Sequence, residues 1–228
     1  YFNAQNRAVT RQDYITRCYN LPQKFGNIAK AFIVQDEQLE ANTKLIVKNG
    51  KISKNKSIST LPNPLALNFY TLGYDANQNL VTLNHAVKNN LKTYLEQYRM
   101  LTDAINIKNA HIINIGVDFG VLPRPGYQNK EVLLRCIKKL RCIFDPDNWS
   151  INEPIILPQI ATELDKVEGV QTVKSLRIFN LFDKESGFSG NIYDIKGATR
   201  EGVVYPSQDP CIFEVKNLDT DIKGRIVG

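Results

Sequence analysis

The sequence has little of the material from which metal and disulfide sites are built. It contains two histidines, one methionine, one tryptophan and four cysteines among 228 residues. The cysteines show no C-x-x-C spacing, so neither a zinc site nor a disulfide framework is indicated. We expect reduced, partly buried thiols in a reducing compartment; the residues are Cys18, Cys136, Cys142 and Cys211.

Long apolar runs are also missing, and so is a charged-then-apolar targeting pattern at the start. No run approaches the roughly 20 residues needed to cross a bilayer, which argues against a membrane partner. The first residues, Tyr1 and Phe2, contain no initiator methionine. We therefore expect the chain to be a fragment of a longer protein.

Catalytic constellations are scarce as well. Neither His85 nor His111 has a nearby Ser or Cys with a plausible third partner, so nucleophilic catalysis has no support. Gly116 and Gly120 lie inside a strand pattern rather than between a strand and a helix, which favours a bulge or a close approach over a phosphate loop. Residues 145–148 are typical of a helix-ending turn, since the Gly and distal Glu of a calcium loop are absent. The sequence predicts no enzyme, no metal, no cofactor and no small-molecule substrate.

Acidic residues are absent from one long segment. The net charge is +6, yet residues 41–74 contain no Asp or Glu. Asn49-Gly50 favours a tight hairpin turn there. Three interpretations are open: a solvated hairpin that lysines keep from aggregating, a contact with an acidic partner protein, and, least favoured, DNA binding. The lysines concerned are Lys44, Lys48, Lys51, Lys54 and Lys56.

What is present is an ordinary globular balance, with 43% hydrophobic and 23% charged residues, sufficient for one or two domains. Thr10 with Asp13 predicts the start of a helix, and Asn84 predicts the cap of a second one. Strands are predicted at 28–34, 67–74 and 103–107. Residues 111–122 alternate most clearly, with Ile113, Ile115, Val117, Phe119 and Val121 on one face, which predicts a strand with one buried face.

Two segments share one organisation. A helix, a glycine and a strand follow one another at 10–34, with Gly26 at the joint, and again at 155–178, with Gly169 at the joint. The order strand, then helix, also occurs twice, the second helix running from Asn129. We predict an α+β fold of two small helix-on-sheet, ferredoxin-like modules. They span residues 1–107, with a lysine-rich hairpin at about 38–62, and residues 108–182.

Residues 183–228 form a polar, interrupted tail that carries short apolar runs. Such runs often pack against another chain, and folding back onto the second module is an equally open alternative. We expect Phe213→Ala or Tyr205→Ala to weaken association more than folding. The predicted interface residues are Tyr193, Tyr205, Ile212, Phe213 and Val215 of the tail, with Lys48 and Lys51 of the hairpin.

The order of these motifs resembles one protein family. Residues 7–14, RAVTRQDY, are similar to the helix start of baseplate J-like proteins, and residues 26–31 to the Gly-hydrophobic strand that follows. Residues 87–103 resemble that family's helix and turn, and residues 160–173 its usual close. The tail, at 192–194, 204–207 and 209–215, looks like the wedge protein of T4-like contractile-tailed phages. The resemblance covers nearly the whole chain as the C-terminal portion of a longer protein, the lysine hairpin excepted.

The resemblance implies a structural role without catalytic residues. Such proteins dimerise, pack with other wedge subunits into a ring around the central hub and tail tube, and rearrange when the tail contracts. It also implies location in the virion tail baseplate, after assembly in the cytoplasm of a bacterial host. The alternative from the residues themselves is a basic nucleic-acid-binding module that uses the hairpin lysines and the helix face at 135–141.

Overall fold

The computed structural model describes residues 7–35, 66–183, 185, 187–207 and 209–227. The fold is α+β, as predicted, and it divides into two compact units, Tyr1–Asp75 with Val81–Ala110 and Ala76–Leu80 with His111–Gly228. The predicted boundary at Lys108 lies beside the division after Ala110. The predicted lysine hairpin, with Lys48 and Lys51, lies outside the described residues.

The first unit places two helices on a four-stranded sheet. Helix α1 (Arg11–Tyr19) leads through a short 3-10 turn (Gln23–Phe25) to β1 (Lys30–Gln35). Strands β2 (Ala66–Tyr74) and β3 (Leu80–Val81) precede helix α2 (His85–Glu96) and strand β4 (Ala104–Asn109). The first residue of β3, Leu80, belongs to the second unit. Strand β2 pairs antiparallel with β1 and parallel with β4. The buried core joins both helices to the sheet through Tyr14, Cys18, Phe69, Leu91, Leu95 and Ile105.

The two predicted capping residues, Thr10 and Asn84, are confirmed. The Thr10 hydroxyl accepts a hydrogen bond from the Asp13 backbone N–H at 3.2 Å, and the Asp13 carboxylate accepts one from the Thr10 N–H at 2.9 Å. The Asn84 side chain accepts a bond from the Val87 N–H at 2.8 Å. These bonds satisfy N–H groups that the first helical turn leaves unpaired, which is why the helices begin at these residues.

The second unit is built around one long central strand. Strand β5 (His111–Pro123) is followed by helix α3 (Asn129–Ile143) and a 3-10 turn (Pro146–Asn148). Strand β6 (Ile155–Ile156), helix α4 (Leu157–Asp165) and strand β7 (Val170–Asn180) come next. The remaining elements are helix α5 (Ile195–Ala198) and strands β8 (Thr199–Arg200), β9 (Val203–Val204), β10 (Cys211–Glu214) and β11 (Ile222–Ile226).

Strands of the tail complete the main sheet of the second unit. Strand β7 pairs antiparallel with β5, while β10 and β11 both pair parallel with it. Strands β6, β9 and β8 form a separate three-stranded sheet. The tail thus folds back onto the second module, the alternative left open by the sequence. Residues 155–156, predicted as helical, are instead a short strand ahead of α4.

The prediction that β5 buries only one face is wrong. Ile115, Val117, Phe119 and Val121 are inaccessible to solvent, as expected, but Asn114 on the other face is only 1% exposed. Gly116 is also buried, since the Phe179 ring lies where its Cβ would be. At these two positions the loop that carries Ser189 and the Phe179 ring cover the second face, and the alternation within β5 contains no information about them.

The joint glycines of the two modules share a geometry. Gly26 has a φ of 126° and Gly169 a φ of 91°, backbone conformations that residues other than glycine rarely adopt. A Cβ on Gly26 would meet Val87 of α2 at 2.6 Å, and one on Gly169 would meet Val132 of α3 at 2.7 Å. In both units the glycine lets the chain turn closely against the helix beside it.

Candidate assembly surface

The predicted tyrosines of the tail come together at one corner of the second unit. The Tyr193 hydroxyl donates a hydrogen bond of 2.6 Å to the backbone oxygen of Tyr205. The Tyr193 ring packs against Phe213, with 5.9 Å between ring centroids. Burial raises the pKa of the Tyr193 phenol above its ordinary value. Next to this pair Ile192 is 78% exposed and Tyr205 49% exposed, so the corner presents an apolar and aromatic surface to solvent.

A shallow groove adjoins the two tyrosines. Its volume is about 360 Å³, and Tyr193, Gly197, Ala198, Arg200, Tyr205 and Pro206 line it. Two aromatic rings and a guanidinium are the groups most often found at the energetic centre of protein interfaces. The groove can therefore receive an anchoring side chain of another subunit.

A loop fixed by hydrogen bonds to β5 holds this corner in place. The Ser189 hydroxyl and the Asn191 side-chain amide both donate to the backbone oxygen of Ile112, at 2.8 Å and 2.7 Å. The Tyr193 N–H donates to the Asn180 side-chain oxygen at 3.0 Å. The sequence analysis did not identify these polar residues. The one feature of the sequence that could have indicated them is that Ser and Asn occur where the apolar runs of the tail begin.

Three predicted interface residues lie inside the unit. Ile212 is 1% exposed, Val215 2% and Phe213 3%. Strand β10 is parallel to β5, with Ile212 opposite Ile112 and Phe213 opposite Ile113. All three side chains therefore offer almost no surface to another chain, and Phe213 supports the corner from within through its packing against Tyr193. A direct contact with another subunit stays a prediction for Tyr193 and Tyr205.

The first unit also exposes apolar side chains. Leu101 is 94% exposed, Val9 57% and Met100 36%. Val9 and Met100 border a groove of about 300 Å³ that Ile33 and Asp103 also line. Beside it the Tyr14 hydroxyl donates to the Asp103 carboxylate at 2.6 Å, and burial, with this bond second, raises the pKa of Tyr14 to about 12. This patch is a second surface on which a neighbour could pack.

The basic face of α3 is largely neutralised by acids. Arg135 pairs with Glu131 at 2.7 Å and with Glu168 at 3.1 Å. Lys139 pairs with Glu163 at 2.9 Å, and Arg141 contacts Asp219. Cationic side chains that are already paired with carboxylates neutralise fewer phosphates, so fewer counterions are released from the nucleic acid on binding. This helix face therefore lends little support to the nucleic-acid hypothesis.

The residues considered for chemistry are dispersed. His85 and His111 are exposed, and the His85 ring contacts the Asn89 amide at 3.0 Å. The Asp145 side chain accepts from the Asp147 N–H at 3.1 Å, the geometry of a turn. In the described ranges no three His, Cys, Asp or Glu side chains are placed to hold a metal ion. No helix of those ranges is long and apolar enough to cross a membrane.

The fold is similar to that of a solved baseplate protein. The sequence matches no protein-family model and no curated protein. The whole of this chain superposes on a chain of the anti-feeding prophage (AFP) baseplate, solved by cryo-EM and 6-fold symmetrised, with a TM-score of 0.51 and 12% sequence identity. The match spans 39% of that longer chain.

Proposed function

We propose that this protein is a structural subunit of the baseplate of a contractile tail, in the wedge ring around the central hub and tail tube. The fold likeness to a baseplate chain over the full length of this sequence supports the proposal. The baseplate J-like order of motifs supports it independently. The subunit would act by dimerising and packing with other wedge proteins, in the virion, without catalysis.

The exposed corner of the second unit provides the means of association. Ile192 and Tyr205 are exposed, while the loop that carries Ile192 is bonded to β5. An apolar anchor on a rigid support loses little conformational entropy when it binds. We expect it to lie near the centre of an interface of roughly 2,000 Å² or more. Rearrangement during contraction would break and remake such contacts.

The test is light scattering over a concentration series, alone and with the other baseplate subunits of the same tail. We expect association beyond the monomer, weakened by Tyr205→Ala and Ile192→Ser with the free energy of unfolding changed by less than about 1 kcal/mol. Leu134→Ser is the matched control, because Leu134 is 51% exposed on α3, a helix that contributes no residue to the corner. A chain that stays monomeric in every mixture would refute the proposal.

From the sequence we expected Phe213→Ala to weaken association more than folding; from the structure we expect the reverse. At 3% exposure it has almost no surface to offer a partner, so Phe213→Ala should cost about 3–5 kcal/mol of folding stability. Association should then fall only in proportion to the unfolded fraction.

A further inference from the structure

The sheet of the second unit has one face covered by helices and one that is not. On the covered face, Phe119 is inaccessible to solvent, and a Cβ on Gly224 of β11 would meet Leu133 of α3 at 2.6 Å. Helices α3 and α4 pack on this side, against β11 and β7. The opposite face carries the residues that alternate with this core.

Register places charged residues side by side on the face that no described helix covers. Asp118 of β5 is opposite Arg177 of β7 and also opposite Lys223 of β11. Arg225 of β11 is opposite Gly120. Adjacent strands lie about 4.8 Å apart, so this row spans about 10 Å across three strands. We call these four residues, Asp118, Arg177, Lys223 and Arg225, the cationic sheet face.

Two glycines keep this face flat. A Cβ on Gly116 would lie 2.4 Å from the Phe179 ring, and a Cβ on Gly120 would lie 2.8 Å from Val227. Side chains from the flanking strands therefore fold across β5 instead of standing clear of it. The result is a level surface on which the long cationic side chains are the outermost groups.

The cations of this face are not neutralised within the unit. Arg177, Lys223 and Arg225 are exposed, and no salt bridge joins them or Asp118 to any residue in the part of the chain that the structure describes. The α3 cations Arg135 and Lys139, by contrast, are paired. The face thus presents three positive charges around one negative charge.

We propose that the cationic sheet face docks an acidic segment of a neighbouring protein subunit. Guanidinium groups bind carboxylates through two parallel hydrogen bonds, and an excess of positive charge steers an acidic surface towards it. A second copy docked face to face would bring cations against cations. Single-stranded nucleic acid fits less well, because its bases stack on several aromatic rings, and among the described residues of β5, β7 and β11 only Phe179 places a ring on this face. The choice of a baseplate neighbour rests on the proposed function, whereas the charge pattern rests on register alone.

A labelled poly-glutamate peptide tests the face directly by fluorescence anisotropy with the whole chain. We expect R177E/K223E/R225E to weaken binding by about tenfold or more. The control K92E/K130E/K138E makes the same charge change at exposed lysines elsewhere and should weaken it far less. Asp118→Asn should tighten binding by about twofold, because it removes the only negative charge from the face. A merely structural role for Asp118 predicts no such gain.

Other outcomes would overturn the inference. These are equal losses in the two triple variants, no peptide binding, tighter binding of an oligonucleotide of the same charge at this face, or self-association that R177E/K223E/R225E abolishes. Light scattering with baseplate subunits separates the two proposals. If the wild type and this triple variant assemble equally, the docking face is wrong and the baseplate role stands. If the wild type does not assemble, the baseplate role fails, and the peptide result still reports on the face.

Discussion

The carboxylate of Glu214 accepts a hydrogen bond of 2.8 Å from the side-chain amide of Asn114, although the residues are 100 positions apart in the chain. They are 4% and 1% exposed. The other Glu214 oxygen accepts from the Leu80 N–H at 2.6 Å, and the Asn114 oxygen accepts from the Ser189 N–H at 2.7 Å. Four segments of the second unit therefore meet at one buried polar cluster, whose members satisfy one another's hydrogen bonds.

Removing the Glu214 carboxylate should lower the stability of the second unit. Glu214→Ala leaves the Leu80 N–H and the Asn114 amide without their acceptor, and each unsatisfied buried donor costs about 1–3 kcal/mol. We expect urea denaturation to show a loss of about 3 kcal/mol or more. The exposed Glu185 is the control, and Glu185→Ala should change stability by less than about 0.5 kcal/mol. Similar effects of the two substitutions would mean that the cluster does not hold the unit together.

Because Gly116 lies against the Phe179 ring, the effects of substitutions at these two positions on stability should be coupled. A Cβ on Gly116 would lie 2.4 Å from the ring, so Gly116→Ala must displace the ring and should cost about 1–2 kcal/mol. In a Phe179→Ala background the same change should cost markedly less, because the obstructing ring is gone. A double-mutant cycle measured by urea unfolding gives the coupling energy. Additive effects would show that the ring does not occupy this position.

Glu163 predicts how stability depends on pH. Hydrogen bonds from Lys166 and Lys139 lower the pKa of Glu163 from 4.5 to about 2. A carboxyl whose pKa is lower in the folded state stabilises the fold above its unfolded pKa and loses that contribution as pH falls. The loss should occur between about pH 4.5 and 2, and Glu163→Gln should remove it. Urea midpoints of both proteins across this range measure it, and parallel pH curves would contradict the prediction. High salt should shrink the difference.

The four cysteines should differ sharply in reactivity. Cys142 is exposed, while Cys18, Cys136 and Cys211 are buried. Burial raises the pKa of the Cys18 thiol to about 12 and that of Cys136 to about 11, and it raises the pKa of Cys211. Thiolate is the reactive form. Mass spectrometry after N-ethylmaleimide treatment should show one adduct on the native chain and four in urea. Adducts on Cys18 or Cys136 without denaturant would refute this.

Local chemistry made part of this fold predictable. Thr10 and Asn84 mark helix starts because their side chains bond N–H groups a few residues away, and the alternation along β5 identifies its core face correctly. Relationships within one turn or strand are contained in the order of neighbouring residues. Helix caps and the buried row of β5 therefore needed no structure.

Distant pairing could not be predicted in the same way. Asn114 is a polar residue on a strand, and the sequence assigned it to solvent, whereas loop 187–191 and Glu214 cover it. Phe213 and Tyr205 are aromatic residues of the same tail, yet one is 3% and the other 49% exposed. Phe213 is buried because β10 pairs with β5, whereas Tyr205 lies outside β10, and no local pattern specifies a pairing across 100 residues.

The parallel pairing of β10 and β11 with β5 has a consequence for synthesis in the cell. A ribosome that adds about 5–20 residues per second needs roughly 5–20 s to produce β10 and β11 after β5. Even after β7 has been made and has paired with one edge of β5, the edge that pairs with β11 stays unpaired, and an unpaired edge is a template on which chains aggregate. A product truncated between β7 and β10 would keep this edge unpaired and would therefore be prone to aggregate. Cellular chaperones and proteases should remove it faster than the intact chain.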